Sequence, residues 1–528
     1  MKTTYLNSVL KFGVGLLLTS SCLSALDFED GKNVVETKCT ACHSGNLKSG
    51  LSRISEQRKS PEGWYMTVSR MQRLNGLSLT ADEKKSVIKY LADTQGLNKE
   101  ESEPYRYVLE KTPNYQEGEH NQLFVEMCNR CHSAARIGLQ RRSPAEWANL
   151  VEFHMGHIPS IDYHALSRDR NWYEIAKNKM VPYLSEKYSL DKKFVKQDAN
   201  YEGSWILYGH RLGAGDFTAT MKVKKISTDT YKLTLKGNYL DGREFSATGK
   251  ADVYSGYEWR ANLDLDGIDT KQVFKMDAKN STLSGSMFEK LHSEEHSFIT
   301  GVKQSDKKVT ILGVYPKSVK AGTNGVITIS GNNLDKKVTL SSALKVNKIL
   351  EQSSNKIVLD VTASSKYDSK EIDIKIGSSS FKDKLVVYKK LDALKVYPSY
   401  AIARVGDGGG TIPKQHAIFE AYGYLKGADG KIGTADDISI GEVDAKWSLA
   451  PFDERSKEDQ DIKYIGTIDS YSGRFIPSFA GPNPKRKFST NNAGNVKVIA
   501  TYKEKNETFK ADSHMIVTVQ KWVNPPIE

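Results

Sequence analysis

The chain has 528 residues, a formal charge of +12 and 38% hydrophobic residues. It is longer than one hydrophobic core usually supports, so several domains are expected. The positive excess is not a nucleic-acid footprint: residues 26–193 hold 25 Lys and Arg against 23 Asp and Glu, and the basic residues further along show neither arginine clustering nor aromatic interleaving.

Residues 1–25 read as a secretory signal, with Lys2 and Lys11, a short apolar core from Phe12 to Leu18, and small Ser24 and Ala25 before the expected cleavage. A competing reading makes Cys22 a lipid-modified N-terminus, but Thr19-Ser20-Ser21 lacks the large apolar residue usual before such a site. No later segment approaches about 18 unbroken apolar residues, so a periplasmic chain without a membrane span is expected. The four cysteines after Cys22 all belong to two motifs, which leaves no thiol for a disulfide.

Residues 26–195 carry helical signals. Thr80-Ala81-Asp82-Glu83 is a capping box, followed by Val87, Ile88 and Leu91 at helical spacing, which predicts a helix ending near Gly96. A second helix is expected from Trp172 to Leu184. Within this region QRKSPEGW at 57–64 matches QRRSPAEW at 140–147, and each copy follows a Cys-x-x-Cys-His motif. Val34 and Val35 precede one motif and Leu123, Phe124 and Val125 the other. Two copies of one small helical unit follow, over about 26–100 and 115–193.

The motifs are Cys39-Cys42-His43 and Cys128-Cys131-His132. Two thiols one helical turn apart can bond the two vinyl-derived carbons of one porphyrin edge, and the adjacent histidine then reaches the iron. Two haem c groups are therefore expected, held by Cys39 and Cys42 with His43, and by Cys128 and Cys131 with His132. A zinc or redox Cys-x-x-Cys pair is the bland alternative, but it would want further ligands or no histidine. Aligning the repeats sets Met71 opposite His154, which makes Met71 the sixth ligand of the first iron and His154 that of the second. Methionine raises the potential relative to histidine, so the two haems should differ. The competitors are Met66 in the first copy, and Met155, His157 and His164 in the second.

After residue 195 the pattern turns to period two, as in Tyr231-Lys-Leu-Thr-Leu-Lys, with turns such as Asp241-Gly242. Breaks at Gln304 to Lys308 and Lys389 to Leu394 divide the rest into β domains at 196–305, 306–390 and 391–528. The middle one, with VYPKSVKAGTNGVITISGNNL, resembles an immunoglobulin-like module. The expected fold class is thus multidomain α plus all-β: a helical dihaem cytochrome c domain followed by three β-barrel or β-sandwich domains. The loop at 427–441 with Asp429, Asp436 and Asp437 could bind calcium but lacks EF-hand spacing, so a hairpin turn is the better reading. Gly408-Gly409-Gly410 reads as a flexible loop. The remaining histidines, His120, His210, His292, His296, His416 and His514, are scattered without ligand spacing.

The paired CTACH and CNRCH motifs, the QRxSPxxW repeat and the DGKIGTADDI block followed by Trp447 together resemble the large α subunits of bacterial quinohaemoprotein amine dehydrogenases, over essentially the whole chain. The resemblance implies an electron-transfer subunit. The amine-oxidising quinone would lie on a small separate subunit, a β-propeller subunit would complete the complex, and a small copper protein or cytochrome would accept the electrons. No acid–base constellation in this chain suggests catalysis by it alone. Other readings of the same motifs are a dihaem peroxidase and an extracellular binding protein with ancillary haems.

Overall fold

The computed structural model describes residues 28–157, 170–277, 279, 281–380, 385–487 and 490–520. The signal segment, Cys22 and His164 lie outside these residues. Helices longer than five residues are α1 (Phe28–Thr37), α2 (Pro61–Leu74), α3 (Ala81–Thr94), α4 (Gln122–Met127), α5 (Pro144–His157) and α6 (Val181–Lys187). Thr80 and Glu83 form the reciprocal cap at the start of α3, which stops at Thr94. α6 closes a longer run that begins at Trp172 and passes through a π-helical turn, Ala176–Met180, just before Pro182, whose ring cannot donate to the ladder. Helices α1 and α3 touch at Gly31, where a Cβ would lie 2.0 Å from the Ser86 carbonyl oxygen. Among the described residues, no helix is long and apolar enough to cross a membrane.

The repeated segments do more than mark two equivalent units: they pair with each other. Gln57–Lys59 and Gln140–Arg142 form an antiparallel ribbon with Arg58 opposite Arg141. The surrounding hydrogen bonds obey the same two-fold relation. The Ser60 amide donates to Leu139 and the Ser143 amide to Glu56, while Lys59 donates to Gln95 at the end of α3 and Arg142 to Tyr188 at the end of α6. Ser60 caps α2 and Pro61 occupies its first turn, where a missing N–H costs nothing. Trp64 and Trp147, four residues on, are buried, with Lys59 over one ring and Arg142 over the other. Glu101 locks the ribbon from below. It receives Arg58 at 2.7 and 2.9 Å and Arg141 at 3.2 Å, and all three side chains are buried.

Residues 203–303 form an up-and-down barrel of eight antiparallel strands, closed where Gly203–Arg211 pairs with His296–Lys303. Alternation is strict in strands such as Thr230–Tyr239, so Tyr231, Leu233 and Leu235 point inward. Trp205, Phe217, Met221, Trp259 and Phe274 fill the interior. The next domain packs a four-stranded sheet, Thr310–Tyr315, Asn324–Asn332, Lys356–Ala363 and Leu344–Gln352, against shorter sheets over a core of Ile327, Ile329, Leu359 and Val387. The last domain sets the sheet containing Gly494–Glu504 and Glu507–Thr518 against smaller ones around Phe419, Trp447 and Phe475.

Helical domain and barrel meet through buried charge. Lys89 of α3 reaches Asp93 at 2.5 Å, Asp229 at 2.6 Å and the Val253 carbonyl at 2.7 Å. Arg106 reaches Glu258, which also receives Arg260. Such groups are tolerated in the interior because each is paired; removing one partner strands the others.

Replacing Glu101 by Ala should therefore destabilise the helical domain by about 3–5 kcal/mol, since two buried guanidinium groups lose their shared carboxylate. Guanidinium-chloride unfolding followed by far-UV circular dichroism measures this, and a loss below about 1 kcal/mol would show that the lock is dispensable.

Candidate haem-binding sites

In the first half, α1 runs into a single 3₁₀ turn, Cys39–Ala41, and both the Cys42 and His43 amides donate to the Cys39 carbonyl. This winding places two thiols and an imidazole on one turn. Cys39 is half-buried against the cluster containing Trp64 and Val68, whereas Cys42 is exposed. Burial, then the nearby Cys42, pushes the Cys39 thiol up. His43 Nδ1 lies 2.9 Å from the Ser52 carbonyl, so Nδ1 donates and Nε2 keeps its lone pair for a metal.

The second half repeats this plan. The Cys128 amide donates to Phe124 at the end of α4; Cys128 is half-buried and Cys131 exposed. Burial pushes the Cys128 thiol up to about 12. His132 Nδ1 lies 3.0 Å from the Ser133 carbonyl, again leaving Nε2 free for a metal. Glu117 braces the segment after the motif by accepting from the Ala134 amide at 3.0 and 3.1 Å.

The helix after each QRxSPxxW segment presents one stripe. Trp64, Val68 and Met71 of α2 stand at i, i+4 and i+7, and so do Trp147, Val151 and His154 of α5. In each helix the first two are buried in the core against which the motif cysteine packs, and the third is half-buried at the end of the stripe. Met66 lies off this line. Met155 packs at the edge of the core of the second half, and His157 is exposed. His154 Nδ1 lies 2.7 Å from the Leu150 carbonyl, which directs its lone pair to Nε2. Its ring sits 6.0 Å from that of Trp172, whose Nε1 donates to the carbonyl of Met127, the residue before Cys128. Burial lowers the pKa of both His132 and His154, and the nearby Arg136 acts in the same direction on each. Met71 Sδ receives a long contact from Asn75 Nδ2, 3.7 Å.

The donors fit haem c. Each half offers two free thiols in one turn and an imidazole whose other nitrogen is pinned to a carbonyl. Four thiols lie free with no disulfide among them.

Two expectations about the rest of the chain are refined. The loop at 427–441 joins antiparallel strands, Glu420–Leu425 and Ile438–Glu442, and its carboxylates are taken by its own amides and by Lys395. The other histidines, in contrast, are not all scattered. His210 lies between Asp216, 2.7 Å, and Glu420, 2.9 Å, with Glu442 close by, on the wall of an open cleft of about 990 Å³. His292 and His416 meet beside Glu294. Only tertiary contact assembles these groups, because each joins the barrel to the C-terminal domain. His296 is buried in the barrel wall against Phe288 and Phe298.

A helical domain with two such turns, followed by β domains, defines a haem-binding protein of the electron-transfer class. Four family models match in succession: the haem-binding region of the quinohemoprotein amine dehydrogenase alpha subunit over residues 29–195, and domains II, III and IV of that subunit over 198–304, 308–389 and 394–527. The chain belongs to the quinohemoprotein amine dehydrogenase alpha-subunit family. No curated protein matches it. Solved structures give partial likenesses. A redesigned beta barrel bound to DFHBI is 17% identical, with 19% of this chain and 93% of that chain covered and a TM-score of 0.18. Drosophila N-cadherin EC1-3 is 11% identical, with 57% and 89% covered and a TM-score of 0.21. SGBP-B of the Bacteroides ovatus mixed-linkage glucan utilization locus, in complex with mixed-linkage heptasaccharide, is 9% identical, with 62% and 70% covered and a TM-score of 0.18.

The unequal burial of the thiols has a direct consequence in apoprotein made without haem attachment. Iodoacetamide at pH 8 should label the exposed Cys42 and Cys131 well before Cys39 and Cys128, as read by peptide mass spectrometry. Equal rates within each pair would contradict the geometry described.

Proposed function

We propose that this alpha subunit carries two haem c groups, on Cys39, Cys42 and His43 and on Cys128, Cys131 and His132, and relays electrons from a quinone on a small partner subunit to an external acceptor in the periplasm. A β-propeller subunit and a small copper protein or cytochrome are the companions this reading implies. The observation that carries it is the matched construction of the two halves, each with a thiol–thiol–imidazole motif whose first cysteine packs on the core that buries a Trp-Val stripe.

Bound haem supplies a one-electron couple whose potential follows its axial ligands. The chain's residues do the rest. The cysteines fix each porphyrin edge, and the carbonyls of Ser52 and Ser133 orient the proximal imidazoles. Met71 and His154, equivalent on their helices, would be the remaining protein donors, offering sulfur to the first haem iron and nitrogen to the second. The Leu150 carbonyl favours the tautomer of His154 with the proton on Nδ1, and burial disfavours its protonation. A thioether on the first iron and a second imidazole on the other would leave the second haem the more reducing. The cofactor that oxidises the amine is not on this chain, and no residue here takes the part of its base.

Two experiments test the reading. In the haem-loaded protein, the sulfur-to-iron charge-transfer absorption should vanish on Met71→Ala and survive His154→Ala, while His154→Ala shifts only the lower of two redox waves. Six-coordinate haems with unchanged potentials in His154→Ala would assign that ligand to Met155 or His157 instead. The chain expressed alone in a host that matures c-type cytochromes should hold two covalent haems yet show no amine-dependent dye reduction; robust turnover would overturn the division of labour.

A further inference from the structure

We infer that His292, Glu294 and His416 form a binding site for a divalent transition-metal ion of the zinc type, which ties the barrel to the C-terminal domain. His292 and Glu294 lie in the loop between the barrel strands Thr282–Glu289 and His296–Lys303, and His416 immediately precedes the strand Ala417–Ile418 of the last domain. One potential ligand atom from each lies within 4.8 Å of the other two. The imidazole rings are stacked, with centroids 5.2 Å apart and planes 23° from parallel.

Four features point to a cation of this kind. First, the donor set is two imidazoles and one carboxylate, which suits zinc and its neighbours, whereas calcium and magnesium favour sets made of oxygen. Second, the carboxylate is already aimed: Glu294 Oε1 accepts the His416 amide at 2.9 Å and faces His292 Nδ1 at 3.1 Å. Third, the neighbouring acid is accounted for elsewhere. Glu295 is held by Arg474 and by Arg211, so its charge is spent and Glu294 is the acid left for a metal. Fourth, His416 Nδ1 is buried and has no hydrogen-bond partner; the nearest acid oxygen, on Glu295, stands 3.7 Å away. A buried nitrogen without a partner calls for a water or an ion, and a small cavity of about 10 Å³ opens beside Glu294 and His416. Three protein ligands would leave a fourth position of a tetrahedral ion for water.

The site is independent of haem, so its test uses the haem-loaded full-length protein, stripped with chelator and re-equilibrated with zinc chloride. Elemental analysis after dialysis should find one zinc per chain alongside the haem iron, and zinc should raise the melting temperature. Single replacements His292→Ala and His416→Ala should lose that zinc without changing the iron content. A second measurement needs no variant: zinc should shield His292 and His416, but not the exposed His157, from diethylpyrocarbonate, read peptide by peptide. Zinc retained by both variants, or absent from the wild type, or a wild type whose two histidines are not shielded, overturns the assignment and leaves an ordered water as the partner of His416.

Discussion

The arrangement of the helical domain depends on one buried carboxylate. Glu101 sits where two copies of the same segment cross, and it accepts both arginines that the copies contribute, Arg58 and Arg141. Two like charges brought together in a low-dielectric interior repel strongly unless an anion lies between them. With Glu101 in place, the short ribbon can form, and the ribbon sets the starting points of α2 and α5. These helices carry Met71 and His154, the residues proposed to complete the two haem sites. The spacing of the two candidate haem pockets therefore follows from a hydrogen-bonded joint rather than from a flexible connection.

The two halves share a scaffold but differ at the chemical end of the stripe. Trp64 donates to the Gln95 carbonyl, whereas Trp147 Nε1 is buried without a partner, so even the framework is not a perfect copy. Met71 and His154 occupy one position in two helices. That substitution changes the ligand field a haem would experience while leaving the packing of Trp and Val intact. Duplication followed by a change at one half-buried helix position would be a physically inexpensive way to obtain two unequal redox centres.

Charge also decides how the domains are joined. Lys89 and Arg106 reach from the helical domain to Asp229 and Glu258 of the barrel, and Arg260 of the barrel reaches back to Glu62 of α2. Where the barrel meets the last domain, His210 lies between Asp216 and Glu420, and the pair Arg211 and Arg474 share Glu295. Such interfaces are specific because a shifted register would leave a charge unpaired. The stacked histidines beside Glu294 sit in this same seam, which is why a metal there would act on the domain joint and not on the haem pockets.

Local chemistry is legible in the order of residues. The Cys-x-x-Cys-His spacing, the capping box at Thr80, the alternation in the barrel strands and the turn at 427–441 all depend on neighbours within a few positions, and each local rule led to the observed element. The repeat likewise sets Met71 opposite His154, because equal spacing from a shared Trp implies an equal place on a helix. What the residues alone did not disclose is everything that requires distant segments to meet. Nothing in QRK or QRR says that the two would pair with each other, that Glu101 would lie beneath them, or that His292 and His416 would stack. Those relations arise when burial of apolar faces brings the barrel, the helices and the last domain together, and the charged groups then settle where each finds a partner. Tertiary structure decided them because the desolvation of a charge is a property of its surroundings, not of its sequence neighbours.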